Sequence, residues 1–275
     1  MTGRAGLCTH IPGHSRYELY LVFYFIPLKR LRIILPMIVD IFIPCFIDQV
    51  YPLTGMNMVK ILEKLGLDVH YNPNQTCCGQ MAYNSGFWEE AKAMGEKFIK
   101  DFPNDRPVVG PSASCIGYIR NYFPQLFHNT ALHYEYKQLK KNIFEFTDFL
   151  VNYMNTEDIG ATFEHIVTYH DSCAALREYR LKDEPRRLLS KVRGLELREM
   201  QNNEVCCGFG GTFSVKFEPV STAMAEQKIK FAMETGAEYI VSTDSSCLLQ
   251  QQAYIDKHRL PIKTIHIIDL LASGW

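Results

Sequence analysis

A pair of adjacent cysteines followed by glycine occurs twice, as Cys77-Cys78-Gly79-Gln80 and as Cys206-Cys207-Gly208-Phe209-Gly210-Gly211, 129 residues apart. Adjacent cysteines strain to form a disulfide with each other, yet both thiolates of one turn can face a single metal centre. Flanking cysteines extend the repeat. Cys45 precedes the first pair with 31 residues between them and Cys173 precedes the second with 32, while Cys115 and Cys247 follow with 36 and 39. The offsets between corresponding cysteines are 128 (Cys45 to Cys173), 129 (Cys77 to Cys206) and 132 (Cys115 to Cys247). Two sets of four thiols at near-constant offset are the mark of an internal duplication.

The chain has 275 residues, enough for one large or two medium domains. The duplication favours two: a first cysteine-rich domain over residues 37–130, a helical connector over 131–160 and a second domain over 161–275. A net charge of -1 argues against bulk nucleic-acid binding, so no nucleic-acid partner is expected. Paired cysteines with no usable signal peptide suit a reducing compartment better than a disulfide framework, and a cytoplasmic address is expected.

Residues 1–36 differ from the rest. They carry Arg4, Arg16, Lys29, Arg30 and Arg32 against the single acid Glu18. The apolar run from Leu19 to Leu28 is too short to span a bilayer, and Lys29-Arg30-Leu31-Arg32 follows it where a signal peptide needs small residues. We read the segment as a leader outside the folded unit, containing the ninth cysteine, Cys8, with Met37 as the natural start. A membrane-surface anchor is the other reading.

From Val39 to Pro44 the chain reads as a buried strand delivering Cys45, followed by a helix over 55–65 stopped at Gly66, and a short strand over 67–71 leading to the first pair. A helix over 87–102, a strand over 107–110 and a helix over 116–123 complete the repeat. The plan recurs as strand 165–169 before Cys173, helix 185–192, strand 195–200 before the second pair, helix 220–235 and strand 238–242 before Cys247. The fold class is therefore α/β: a duplicated cysteine-rich domain of two similar three-layer parallel-sheet halves, with the ligand groups at the carboxyl ends of the strands.

Four thiolates gathered at one sheet edge suit zinc or an iron–sulfur cluster. Structural zinc usually uses two local C-x₂-C hooks, whereas these ligands are dispersed over about 70 residues of a unit large enough to fold without a staple, which favours iron–sulfur. Gly208, Gly210 and Gly211, and Gly79 in the first half, permit positive φ and aim backbone N–H groups at sulfur; a plain tight turn explains them equally. The first half is poorer in glycine, so the two sites are not expected to be equivalent.

These residues resemble the duplicated CCG cysteine-rich family, which includes a subunit of heterodisulfide reductase, the glycolate oxidase iron–sulfur subunit and, with the greatest similarity, lactate utilization protein A. The resemblance rests on Ile43-Pro44-Cys45, the two CCG stretches, Ser112-Ala113-Ser114-Cys115, Tyr169-His170-Asp171-Ser172-Cys173 and Asp244-Ser245-Ser246-Cys247, and covers about residues 38–271. It implies an iron–sulfur redox subunit that takes part in oxidising L-lactate to pyruvate, with a ferredoxin-like iron–sulfur partner and a further lactate utilization subunit. Disulfide reduction, glycolate oxidation and a zinc-stabilised interaction module are the alternatives. The full family pattern ends each repeat with C-x-x-C, and this chain has Ser112 and Asp244 in place of the first of those cysteines. Four thiols per repeat fit one [4Fe–4S] cluster per half, with zinc at one half as the other option.

Remaining candidates carry weaker signals. His170 can hydrogen-bond a cluster sulfur, relay a proton or serve structure alone. Arg177 and Lys216 follow the second set closely enough to hold a substrate carboxylate, although surface charge is the ordinary reading. Asp244 is either an oxygen ligand or, more commonly for such a loop carboxylate, solvated. Met56, Met58 and Met81 read as core filler.

Overall fold

The computed structural model describes residues 37–102 and 106–274. The leader expectation and Cys8 lie outside the described residues. Within them the chain forms two four-stranded sheets of all-parallel strands. The first contains β1 (Ile38–Ile41), β2 (Asp68–Tyr71), β3 (Val108–Gly110) and β4 (Ile143–Glu145) in the order β2-β1-β3-β4. The second contains β5 (Ile166–Tyr169), β6 (Glu196–Leu197), β7 (Tyr239–Ser242) and β8 (Lys263–His266) in the order β6-β5-β7-β8. The duplication read from the cysteines is thus a duplication of topology.

Each sheet has one more strand than the cysteine-anchored pattern predicts. Residues 131–160 are expected as a helical connector, but only His133–Asn142 is an α-helix before β4 pairs Val108 with Ile143 and Gly110 with Glu145. Leu139, Ile143 and Phe146 fall at helical spacing, and burial beside β3 overrides that local signal. β8 occupies the matching place beside β7 through Tyr239–Lys263 and Ser242–His266 pairing. The expected strand over 195–200 shrinks to Glu196–Leu197, an edge strand.

The repeats share a core. Val39, Ile41, Met58 and Ile61 of the first pack in one cluster with Val167, Tyr169, Leu188 and Leu270 of the second. Helix Pro52–Lys64 carries Thr54 and Asn57, which donate to the two carboxylate oxygens of Asp269 in helix Ile267–Leu271 at 2.7 and 2.9 Å. The exchange is reciprocal, because helix Asp183–Leu189 of the second repeat packs against residues Phe146–Tyr153 that follow β4. A second cluster, around Phe98, Phe123 and Phe127, also takes in Ala175, Tyr179 and Leu181 of the second repeat, and a smaller one around Ile229, Ile240 and Ile255 is local.

A buried ion pair fixes the loop after β5. Asp171, 2 % exposed, accepts from both terminal guanidinium nitrogens of Arg186 at 2.9 and 2.8 Å, and that guanidinium also lies 4.7 Å from the Tyr169 ring centroid. Asp171 is two residues before Cys173, so this clamp positions the thiol loop. Removing one partner of a buried pair leaves the other charged and dry. Arg186→Met is expected to lower the unfolding free energy by about 3–5 kcal/mol, read from urea denaturation; a change within error would mean that Asp171 finds water or another donor.

Candidate functional site

In a parallel sheet every strand releases its loop at the same edge, and in each order here the chain reverses direction between β1 and β3, or between β5 and β7. Cys45 follows β1, Cys77 and Cys78 follow β2, and Cys115 follows β3 near the start of helix Ala113–Phe127. Cys173, Cys206, Cys207 and Cys247 hold the same places around β5, β6 and β7. All eight are free thiols.

Each set forms a chain of sulfur contacts in the same sequence. Cys45 Sγ lies 3.5 Å from Cys77 Sγ, and the Cys78 and Cys115 thiols are close enough to them to perturb the ionisation of the set. Cys173, Cys206, Cys207 and Cys247 perturb one another's ionisation in the same order. The first thiol of each pair is the preferred thiolate. Cys77 is held far below the ordinary thiol range by bonds from Cys45 and Cys78 and by the Gly79 N–H, 3.5 Å from its sulfur. Cys206 is lowered in the same way by Cys173, by Cys207 and by the Gly208 N–H at 3.4 Å. Cys45 is pushed up by its bond to Cys77 and by burial, and Cys173 by its bond to Cys206 and by burial. Ionising all four thiols of a set together requires a compensating cation at their centre. A metal ion or iron–sulfur core supplies that charge, and the donor set fits either.

Glycine makes the turns. Gly79 and Gly208 have φ of +91° and +90°. A Cβ on Gly208 would lie 2.5 Å from the Ser221 carbonyl oxygen, and one on Gly79 3.1 Å from that of Ala91. Gly210 and Gly211, with φ of +52° and +64°, carry the second loop toward the first repeat. There Phe209 meets Phe46 at 5.9 Å between ring centroids, and Gly211 packs against Met81 Sδ.

The thiol sets open into adjoining cavities of about 170 and 180 Å³. Gln80, Met81, Ser114, Phe209 and Ser246 line both. Met81 is thus no core filler: it is 47 % exposed and stands in the wall between the two sites. Met56 is exposed as well, while Met58 is fully buried in the shared core.

Asp244 departs from the expectation of a solvated carboxylate. It is 1 % exposed and accepts from the Ser112 hydroxyl at 3.3 Å, from the Ser114 N–H at 3.1 Å and from the Ser172 hydroxyl. Ser112 and Asp244 occupy equivalent positions of the two repeats, three residues before Cys115 and Cys247, and here they bond to each other across the interface. Arg177 and Lys216 are exposed and line neither cavity.

His170 is fully buried, with neither ring nitrogen hydrogen-bonded, and it offers a ligand atom within 4.8 Å of those of Cys207 and Cys247. Burial pushes its pKa down to about 3, with the Lys228 charge adding to the effect, so the imidazole is neutral. Lys228 carries no signal in the cysteine pattern. It is 0 % exposed on helix Glu218–Met233, and its Nζ donates to the carbonyls of Asn202 and Asn203 at 3.0 and 2.9 Å, in the loop that enters the second pair.

Two substitutions test this geometry. Gly208→Ala forces a left-handed residue, costing about 1–2 kcal/mol, and adds the Ser221 clash, so it should lower thermal stability more than Gly79→Ala; equal losses would mean that helix Glu218–Met233 backs away freely. Asp244→Ala strands three donors and should cost about 3 kcal/mol in denaturant unfolding, whereas a loss below about 1 kcal/mol would show that water replaces the carboxylate.

The cysteine-rich domain model, CCG, matches residues 39–120 and 167–252. Lactate utilization protein A of Oceanobacillus iheyensis is 40% identical over 237 residues, covering 85% of this chain and 96% of that protein. The protein of the same name from Geobacillus kaustophilus is 42% identical over 234 residues, with 85% and 98% coverage, and that from Bacillus subtilis 38% over 236 residues, with 86% and 99%. A crystal structure of a hypothetical protein from Helicobacter pylori aligns with a TM-score of 0.51 at 11% identity over 87% of this chain. This chain spans 49% of that one, and the likeness concerns the fold alone. With both repeats matched and these relatives aligned along nearly their whole length, the chain belongs to the CCG cysteine-rich domain family, in the group formed by lactate utilization protein A.

Proposed function

We propose that this protein is an iron–sulfur electron-transfer subunit of a multi-protein system that oxidises L-lactate to pyruvate, with one [4Fe–4S] cluster per repeat. The observation that carries the reading is the pair of four-thiol sets opening into cavities with a common wall. Cys45, Cys77, Cys78 and Cys115 hold one cluster; Cys173, Cys206, Cys207 and Cys247 hold the other. Such clusters supply one-electron chemistry. The protein supplies thiolate charge and backbone N–H groups on Cys77 and Cys206.

Oxidising lactate releases two electrons and two protons, and its carboxylate calls for a cation at the binding site. No lysine or arginine lines either cavity among the described residues, and the Asp244 carboxylate faces the second. In this reading lactate binds on a partner protein, and this chain passes electrons onward to a ferredoxin-like partner. Among the described residues no helix is long and apolar enough to cross a membrane.

A second reading has one observation in its favour. Two thiolates on one tetrahedral zinc lie roughly 3.8 Å apart, close to the 3.5 Å between Cys45 and Cys77. Anaerobic purification with iron, sulfide and zinc analysis separates the readings. About eight irons and eight sulfides per chain are expected, and Cys78→Ser and Cys207→Ser should each remove half. Zinc without sulfide would overturn the redox reading. Deletion of the gene should abolish growth on lactate as sole carbon source, and normal growth would overturn the lactate assignment.

A further inference from the structure

The two repeats share backbone and thiols but differ in what lies behind the thiols. Phe42, three residues before Cys45, corresponds to His170, three residues before Cys173. On the helix after each pair, Phe98 corresponds to Lys228. Their equivalence is fixed by the glycine contacts, since Gly79 packs on Ala91 and Met94, and Gly208 on Ser221 and Met224, at the same spacing. In the first repeat the two positions form an edge-to-face aromatic pair, with Phe42 and Phe98 centroids 4.8 Å apart. In the second the same space holds a neutral imidazole and a fully buried ammonium.

We infer that Lys228 is an electrostatic positioning residue of the second thiol set, raising the reduction potential of the cluster held there above the value that the aromatic lining of the first repeat would give. The inference rests on the iron–sulfur reading above. Adding an electron to a cluster makes it more negative, and a buried positive charge nearby stabilises that state more than the oxidised one. The helix carrying Lys228 packs on the Gly208 turn of the second pair, and its Nζ reaches the Asn202–Asn203 loop that enters that pair; although burial pulls its pKa down to about 8, the neighbouring Cys207 and Asp171 charges hold it up, and it is protonated at neutral pH. Asp171 is paired with Arg186, and Asp244, held by three hydrogen bonds at the interface of the repeats, keeps its charge; both carboxylates remain in the Lys228 variants, so they are a constant background to the change that removing the ammonium makes. Lys228 also ties down the Asn202–Asn203 backbone, so its charge and its hydrogen bonds must be separated experimentally.

Lys228→Gln keeps a donor for those carbonyls and removes the charge, while Lys228→Met removes both. The probe is a redox titration of the full chain followed by electron paramagnetic resonance, with the signals assigned to each set through Cys78→Ser and Cys207→Ser. In both Lys228 variants the second-set potential should fall by about 59 mV, a tenfold loss in the one-electron reduction constant, while the first-set potential stays fixed. An unchanged second-set potential in Lys228→Gln, or loss of the second cluster from both variants, would overturn the tuning role and leave Lys228 as a loop anchor. Absence of sulfide from the unsubstituted protein would instead strike the iron–sulfur reading, and this inference with it, before any variant is made.

Discussion

Parallel strand pairing is the constraint on which everything else here depends. It sends every strand's carboxyl end to one edge, so thiols separated by 70 residues of chain meet without any local hook. The burial that makes this possible is costly for polar groups, and the chain meets the cost locally. Asp171 has Arg186, Asp244 has two serine hydroxyls and an N–H, and the Lys228 ammonium has two carbonyls. His170 is among the buried groups left without a hydrogen-bond partner, and its ring lies against Cys207 and Cys247.

The repeats are coupled more tightly than two domains joined by a linker. The shared core, the exchange of helices and the Ser112–Asp244 bond make each half a structural requirement of the other. The second CCG loop crosses the boundary outright, placing Phe209 on Phe46 and Gly211 on Met81. Adjacency of the two sites is therefore a property of the core and does not depend on a hinge.

The thiol sets, the strand–turn sites and the α/β class are legible in the sequence because cysteine spacing and buried strand runs are local signals. β4 is not legible: Ile143-Phe144-Glu145 has a helical apolar pattern around it, and only pairing with β3 makes it a strand. Asp244, Met81 and Phe209 acquire their roles from contacts across the interface of the repeats, which no single-repeat reading contains. Lys228 does leave a signal outside the cysteine pattern, as a lysine at the helical position where the first repeat carries Phe98, and aligning the repeats beyond their cysteines exposes it.

That replacement gives the molecule an unusual property. Two sites of one scaffold, one backed by Phe42 and Phe98 and the other by His170 and Lys228 behind the thiols, sit in a single polypeptide and experience the same solvent, temperature and pressure. Whatever perturbs the whole protein perturbs both, and their difference retains only what distinguishes the two surroundings. Each chain thus carries its own matched reference, so gene duplication has set up a comparison that would otherwise require two separate proteins.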